Sequence, residues 1–313
     1  TSEHVDVVLM YSHRQGHEFK SAGGNIKPWG TSRYDSEKDI ARRAEIGEAR
    51  IHPDPSNHKN DSYLAKLTWK INPQHKLGIS INGQRGKRYT WEYSYAMNTS
   101  WREADDYANL FYEWKVENNP VIGLIRTDFD YQKIENGAIN YKGTYDAHGS
   151  WRDRTYTKGY LQNVDNRNMK TEYKRATLRV DSQPFTLIGG DHLLSFRTYI
   201  AQRDFKNIND DKVLNPNGSV NSGRIYTIQR PVKTAQYGFS LKNDTFWNDT
   251  FSSFLGVRYD HEKLKPQSYQ NGIPCTAACL RAEEKYQPKE TTFSNWNGFI
   301  GIDAQINPTW KTG

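Results

Sequence analysis

Apolar and polar side chains alternate with a period of two over most of this chain, and that alternation leaves few folds open. Tyr63, Ala65, Leu67, Trp69 and Ile71 alternate with Leu64, Lys66, Thr68 and Lys70. After a turn at Asn72 and Pro73, Leu77, Ile79, Ile81 and Gly83 alternate with Lys76, Gly78, Ser80, Asn82 and Gln84. The same parity continues through Tyr89, Trp91, Tyr93, Tyr95 and Met97, which predicts one very long strand. Val5 to Tyr11, Ala108 to Val116, Val121 to Tyr131, Ala176 to Val180, Leu194 to Ile200, Tyr237 to Leu241, Phe251 to Tyr259 and Ile300 to Ile306 follow the same rule, for ten strands in all. Helical periodicity is nearly absent, so the predicted class is all-β.

The predicted connections alternate in length. Asn72 to His75, Glu117 to Pro120, Ser182 to Gly190, Trp247 to Thr250 and the turn at Asn307 and Pro308 are short. Gly16 to Asp61, Asn98 to Asp106, Gly137 to Lys170, Asn207 to Thr234 and Leu264 to Thr291 are long. One end of the sheet therefore carries tight turns and the other nearly all the loop sequence. A soluble sandwich has no reason for that asymmetry, and no repeat at the ~40 to 45 residue period of propeller blades is present.

Composition narrows the choice. Hydrophobic residues make up 35% of the 313, too few for a large oily core, whereas 13% aromatics argues against disorder. No run reaches the ~18 apolar residues of a membrane helix, but a transmembrane β-strand needs only ~9 to 11 residues of alternating character. Outer-membrane barrels combine short periplasmic turns, long extracellular loops, an apolar outer face and a polar lumen. Aromatics fall beside the short turns (Trp69, Trp114, Trp247, Trp310) and near the loop ends (Tyr93, Tyr95, Tyr131, Tyr199, Tyr259), as two interfacial girdles require. The expected architecture is an antiparallel transmembrane β-barrel segment of about ten strands in the bacterial outer membrane, in contact with its lipid. Lys311 to Gly313 follow a turn where a further strand is expected, so residues 1–313 are read as part of one larger barrel domain. The net charge of +7 comes from 43 basic residues interleaved with 36 acidic ones, without the basic stripe of a nucleic-acid binder.

Tyr11 to Glu18 (Tyr-Ser-His-Arg-Gln-Gly-His-Glu), Trp101 to Asp106, Thr127 to Gln132, Asn295 to Phe299 and Ile306 to Trp310 resemble, in their order, TonB-dependent outer-membrane receptors of the haemoglobin, transferrin and lactoferrin group. Haemoglobin or haemoglobin–haptoglobin receptors are the most similar. The resemblance implies a plugged barrel of about 22 strands. It also implies drive from the TonB complex through a plug region, haem as the transported ligand with no covalently bound cofactor, and a lipoprotein co-receptor. The plug, the TonB-contacting segment and the C-terminal strands are not in this sequence. Transferrin or lactoferrin is the alternative carrier.

Candidate residues follow from position. His17, His52, His58 and His148 fall in predicted long loops. Imidazole is a common haem ligand, but no second ligand has suitable spacing, which favours solvated loop histidines over haem contacts. Trp29, Tyr34, Tyr226 and Tyr269 are loop aromatics, and Arg42 and Arg43 lie on a short capped helix predicted near residues 36–47. Trp151, Arg152, Arg154 and Tyr156 form the densest set of the residue types that dominate protein interfaces. Loop-on-loop packing is the plain alternative for all of these. Cys275 and Cys279 read as a small disulfide loop, since a lone pair falls short of a zinc site. Arg126, Arg175, Arg179, Arg197 and Arg258 are assigned to the lumen face. The chain is not expected to be an enzyme. The rival class is an omptin-like ten-stranded protease, in which Asp210-Asp211 or Asp260-His261 activates water.

Overall fold

A computed structural model describes residues 3–17, 56–92, 97–148, 155–268, 281, 285, 288–307 and 310–312. Among them are β1 (Val5–His17), β2 (Ser56–Lys70), β3 (His75–Glu92), β4 (Met97–Lys115), β5 (Ile122–His148), β6 (Thr155–Ser182), β7 (Phe185–Leu187), β8 (Gly190–Leu214), β9 (Val220–Tyr226), β10 (Val232–Phe246), β11 (Phe251–Pro266), β12 (Thr291–Asn307) and β13 (Trp310–Thr312). They form a single antiparallel sheet whose order is the chain order, with only the short β7 and β9 off the main path, each paired to β8. The ten long strands are those the alternation predicts; β3 carries the predicted long strand as far as Glu92, whereas Met97 opens β4 instead of continuing it, and residues 93–96, with Tyr93 and Tyr95, lie outside the described residues.

Register explains why this sheet has an oily outside. Directly paired residues of antiparallel strands share a face. Val7, Leu67, Ile79, Leu110, Phe129, Ala176, Ile200 and Tyr237 are successive partners from β1 to β10. The opposite face carries Asn109, Asp130 and Arg175 as successive partners. Among the described residues only Val116, Ala138 and Ala201 are buried apolar groups, whereas Asp130, Thr177 and Asp181 are buried and polar. Such inversion suits a wall with lipid on one side and a hydrated lumen on the other.

The short turns have a common device. Asn72 Oδ1 accepts from the Gln74 and His75 amides, Asn119 Oδ1 from those of Val121 and Ile122, and Asn248 Oδ1 from those of Thr250 and Phe251. An Asx turn thus closes three hairpins at the same end. The Ser182 to Gly190 connection, predicted as a plain turn, contains β7 and a tight reversal through Ile188 (φ 51°) and Gly189 (φ 76°). Aromatic belts flank the apolar band. His75 stacks with Tyr112 and Trp114 at the turn end, and Tyr259 meets Trp296 at the loop end with ring centroids 4.8 Å apart. Tyr199 does not belong to the belt. It faces inward and donates to Asp260.

The loops are shorter than expected. Asn98 to Asp106 is strand, and β5 and β6 run on through Gly137 to His148 and Thr155 to Lys170. With 27 and 28 residues, these strands far exceed the ~9 to 11 that cross a bilayer. Beyond the bilayer both faces are wet, so backbone pairing persists while the apolar alternation that reveals it disappears. Above Phe205, β9 takes the place of β10 as the neighbour of β8.

Candidate functional site

Above the bilayer, the inner face of the extended sheet forms a concave groove of about 470 Å3 across β2 to β6. Gly16, His58, Arg88, Trp101, Ala138 and Arg167 are successive partners along one line of the sheet. Asn60, Gly86, Glu103, Asn136 and Met169 form the next. The small residues Gly86 and Ala138 lower the floor, while Trp101, 53% exposed, and the exposed Met169 offer apolar surface to whatever enters. Arg88 and Arg167 share this face with one carboxylate, Glu103, whereas Lys59, Lys87 and Arg102 are the alternate residues of their strands and point to the other face. Its chemistry suits a flat apolar molecule that bears negative charge.

One wall is braced. Asp211 on β8 accepts from Arg167 and from Arg224, the latter at 3.2 Å, and the Tyr226 ring lies under both guanidinium groups, 4.5 Å from Arg224 and 5.4 Å from Arg167. Burial alone raises the Asp211 carboxyl, but the Arg167 and Tyr226 hydrogen bonds outweigh it and hold it below the usual carboxylate range. Burial and the Asp211 hydrogen bond push the Tyr226 hydroxyl up. Asn207 and Asn209 exchange side-chain hydrogen bonds beneath, and Asn207 Oδ1 also accepts from the Ile228 amide. That network ties the chain after β9 back onto β8.

Lower down, the lumen face is a chain of ion pairs. Lys76 meets Glu113, Glu113 meets Arg126, and Arg126 meets Asp128 at 2.9 Å. Asp130 accepts from Tyr107 at 2.5 Å, Asn109 at 2.9 Å and Arg175 at 2.9 Å. Arg179 is fixed by Asp181 and Arg258 by Asp260. All five arginines assigned to the lumen lie on this face, and four are held by carboxylates.

Of the candidate histidines, His58 lines the groove, His17 ends β1, and His148 ends β5. His52, Trp29, Tyr34, Arg42, Arg43, Trp151, Arg152, Arg154, Tyr269, Cys275 and Cys279 lie outside the described residues. Tyr156 is in β6 and Tyr226 in β9, not in loops. Trp101, Arg88 and Met169 were missed as site residues. Counting back along β2, β3 and β4 from the turn at Asn72 to His75 would have put His58, Arg88 and Trp101 on one line.

The protease reading needs neighbouring acid and base on one face. Asp260 faces the lumen, bonded to Tyr199 and Arg258, whereas His261 faces outward, stacked 4.6 Å from Tyr237. Asp210 pairs with Lys212, while its neighbour Asp211 is engaged by the arginines. Successive strand residues point to opposite faces, so neither dipeptide assembles a dyad.

No family model matches the sequence. The chain is 23% identical to haemoglobin–haptoglobin utilization protein B of Neisseria meningitidis serogroup C, over 96% of its own length and 39% of that protein's. Among solved structures it is similar to the outer membrane transporter YddB of Escherichia coli, with a TM-score of 0.59 at 13% identity over 97% of this chain and 34% of that one. It is also similar to FpvA of P. aeruginosa bound to pyoverdines, with a TM-score of 0.54 at 14% identity over 82% of this chain and 34% of that one. The chain thus spans between a third and two-fifths of these proteins. Its fold is that of an outer-membrane β-barrel wall.

Proposed function

We propose that the chain is part of the barrel of a TonB-dependent outer-membrane receptor, not an enzyme, that captures haemoglobin or haemoglobin–haptoglobin and imports haem. The observation that carries this reading is the groove at the mouth of the wall. Haem is a flat apolar ring with carboxylates at one edge, and the groove pairs an exposed Trp101 and Met169 with Arg88, Arg167 and the imidazole of His58. The similarity to a haemoglobin–haptoglobin utilization protein along nearly the whole chain supports the same carrier. On this reading the loops that carry Trp29, Tyr34, Arg42, Arg43, Trp151, Arg152, Arg154, Tyr156 and Tyr269 dock the carrier protein, with a lipoprotein co-receptor beside them. A plug and the TonB contact belong to the rest of the receptor.

The test is a haem titration of the full-length receptor in detergent, followed by absorbance. Trp101→Ala removes an aromatic contact worth about 0.5 to 1.5 kcal/mol beyond the area it covers, so haem binding should weaken about tenfold. His58→Ala should alter the haem spectrum if imidazole reaches the iron. Binding and spectra unchanged in both variants would remove the groove from the pathway.

A further inference from the structure

A second concavity, about 260 Å3, opens on the lumen face between β6, β8, β10 and β11. Gly238 pairs with Tyr199 and Asp260, and Ala201 pairs with Arg175 and Gln236. Around this dip stand Arg175, Thr177, Arg197, Tyr199 and Arg258.

Two of the three guanidinium groups are neutralised, Arg175 by Asp130 at 2.9 Å and Arg258 by Asp260 at 2.6 Å. Arg197 sits on the line between Arg179 and Ser240, with Arg258 next beyond. It is exposed to the concavity and makes no hydrogen bond or ion pair with any described residue. A second observation points the same way. Thr177, at 5% exposure, lines the concavity, and its hydroxyl has no hydrogen-bond partner. A buried hydroxyl left unmet is unfavourable, and a cation at the edge of such a hollow attracts an acceptor.

We propose that this hollow is a carboxylate site, in which the anion accepts from the Arg197 guanidinium and the Thr177 hydroxyl. A carboxylate matches the single unneutralised positive charge and the planar fork of arginine, whereas a phosphate dianion overcompensates it. The carboxylate belongs either to a solute in the lumen or to an acidic side chain of polypeptide that fills it. The site rests on the barrel architecture and not on haem as the cargo.

Phenylglyoxal labelling of Arg197 in the purified full-length receptor, read by mass spectrometry, tests the proposal. The near-isosteric Thr177→Val variant and added acetate are its two arms. If a solute carboxylate is the ligand, Arg197 labels rapidly in carboxylate-free buffer. Acetate then slows it saturably, at least tenfold, and less so in Thr177→Val. If an acidic side chain is the ligand, labelling is slow without acetate and accelerates several-fold in Thr177→Val, which simple steric cover would not produce. Labelling indifferent to both acetate and Thr177→Val overturns the site.

Discussion

The Tyr199 hydroxyl donates to Asp260 Oδ1 at 2.8 Å across Gly238, the residue paired with both. Tyr63 and Asp106 do the same on the other face, at 2.8 Å across Gly83. In each case an arginine joins the carboxylate, Arg258 for Asp260 and Arg85 for Asp106. The glycine lets an aromatic ring lie flat along the sheet and link strands that are not neighbours.

A Cβ at Gly238 would lie 2.6 Å from the Tyr259 carbonyl oxygen and 2.7 Å from a Tyr199 ring carbon. Gly238→Ala should therefore destabilise the barrel by about 1 to 3 kcal/mol, the usual cost of overpacking. Gly298, with nothing within 4 Å of the same atom, is the control. Gly298→Ala should be neutral or slightly stabilising. Urea midpoints of the refolded full-length barrel decide, and equal midpoints for the two variants would mean the ring crossing is not constrained.

Asp211 gives a pH dependence whose sign follows from its lowered pKa. A carboxyl held below its unfolded value contributes stability that is fully present above that value, about 4, and is lost as pH falls through the folded value. Asp211→Asn should loosen the extension of β6, β8 and β9 by about 1 to 3 kcal/mol at pH 7, since it leaves Arg167 without its charged partner. The gap between variant and native protein should close below about pH 4. Proteolytic nicking within residues 207–226, compared at matched pH, reads it. A gap that persists undiminished at pH 2 would contradict the assignment.

Ile188 occupies left-handed backbone at φ 51° and is 82% exposed, so it gains nothing from packing to offset its strain. Ile188→Gly should relieve about 1 kcal/mol of that strain and raise the urea midpoint. A lowered midpoint would mean the side chain is held by contacts at the turn end.

How much of this was legible in the sequence depended on the solvent at each height of the wall. Between Leu67, Ile79 and Leu110 and the short turns, lipid sorts residues by face, so parity alone finds the strands. Above Asp106, where water bathes both faces, Asn98 to Asp106, Gly137 to His148 and Thr155 to Lys170 read as loops although their backbones pair. The groove was hidden for the same reason. His58 stood out as a histidine, but Trp101, Arg88, Ala138 and Arg167 become its neighbours only through register carried outward from the turns. Tyr226 looked like a free loop aromatic because nothing local reveals that β9 folds back to place it beside Asp211.

Whether this wall belongs to a receptor for a haem carrier is decided by one binding comparison. Full-length receptor embedded in outer membrane is presented with haemoglobin, haemoglobin–haptoglobin, transferrin, a ferric siderophore and free haem, with release of a chromogenic peptide followed in the same preparation. A haem-carrier receptor should show saturable binding of haemoglobin or its haptoglobin complex, no peptide release, and haem retention weakened by Trp101→Ala. Binding of transferrin or the siderophore alone, or peptide release abolished by Asp260→Ala, would contradict it.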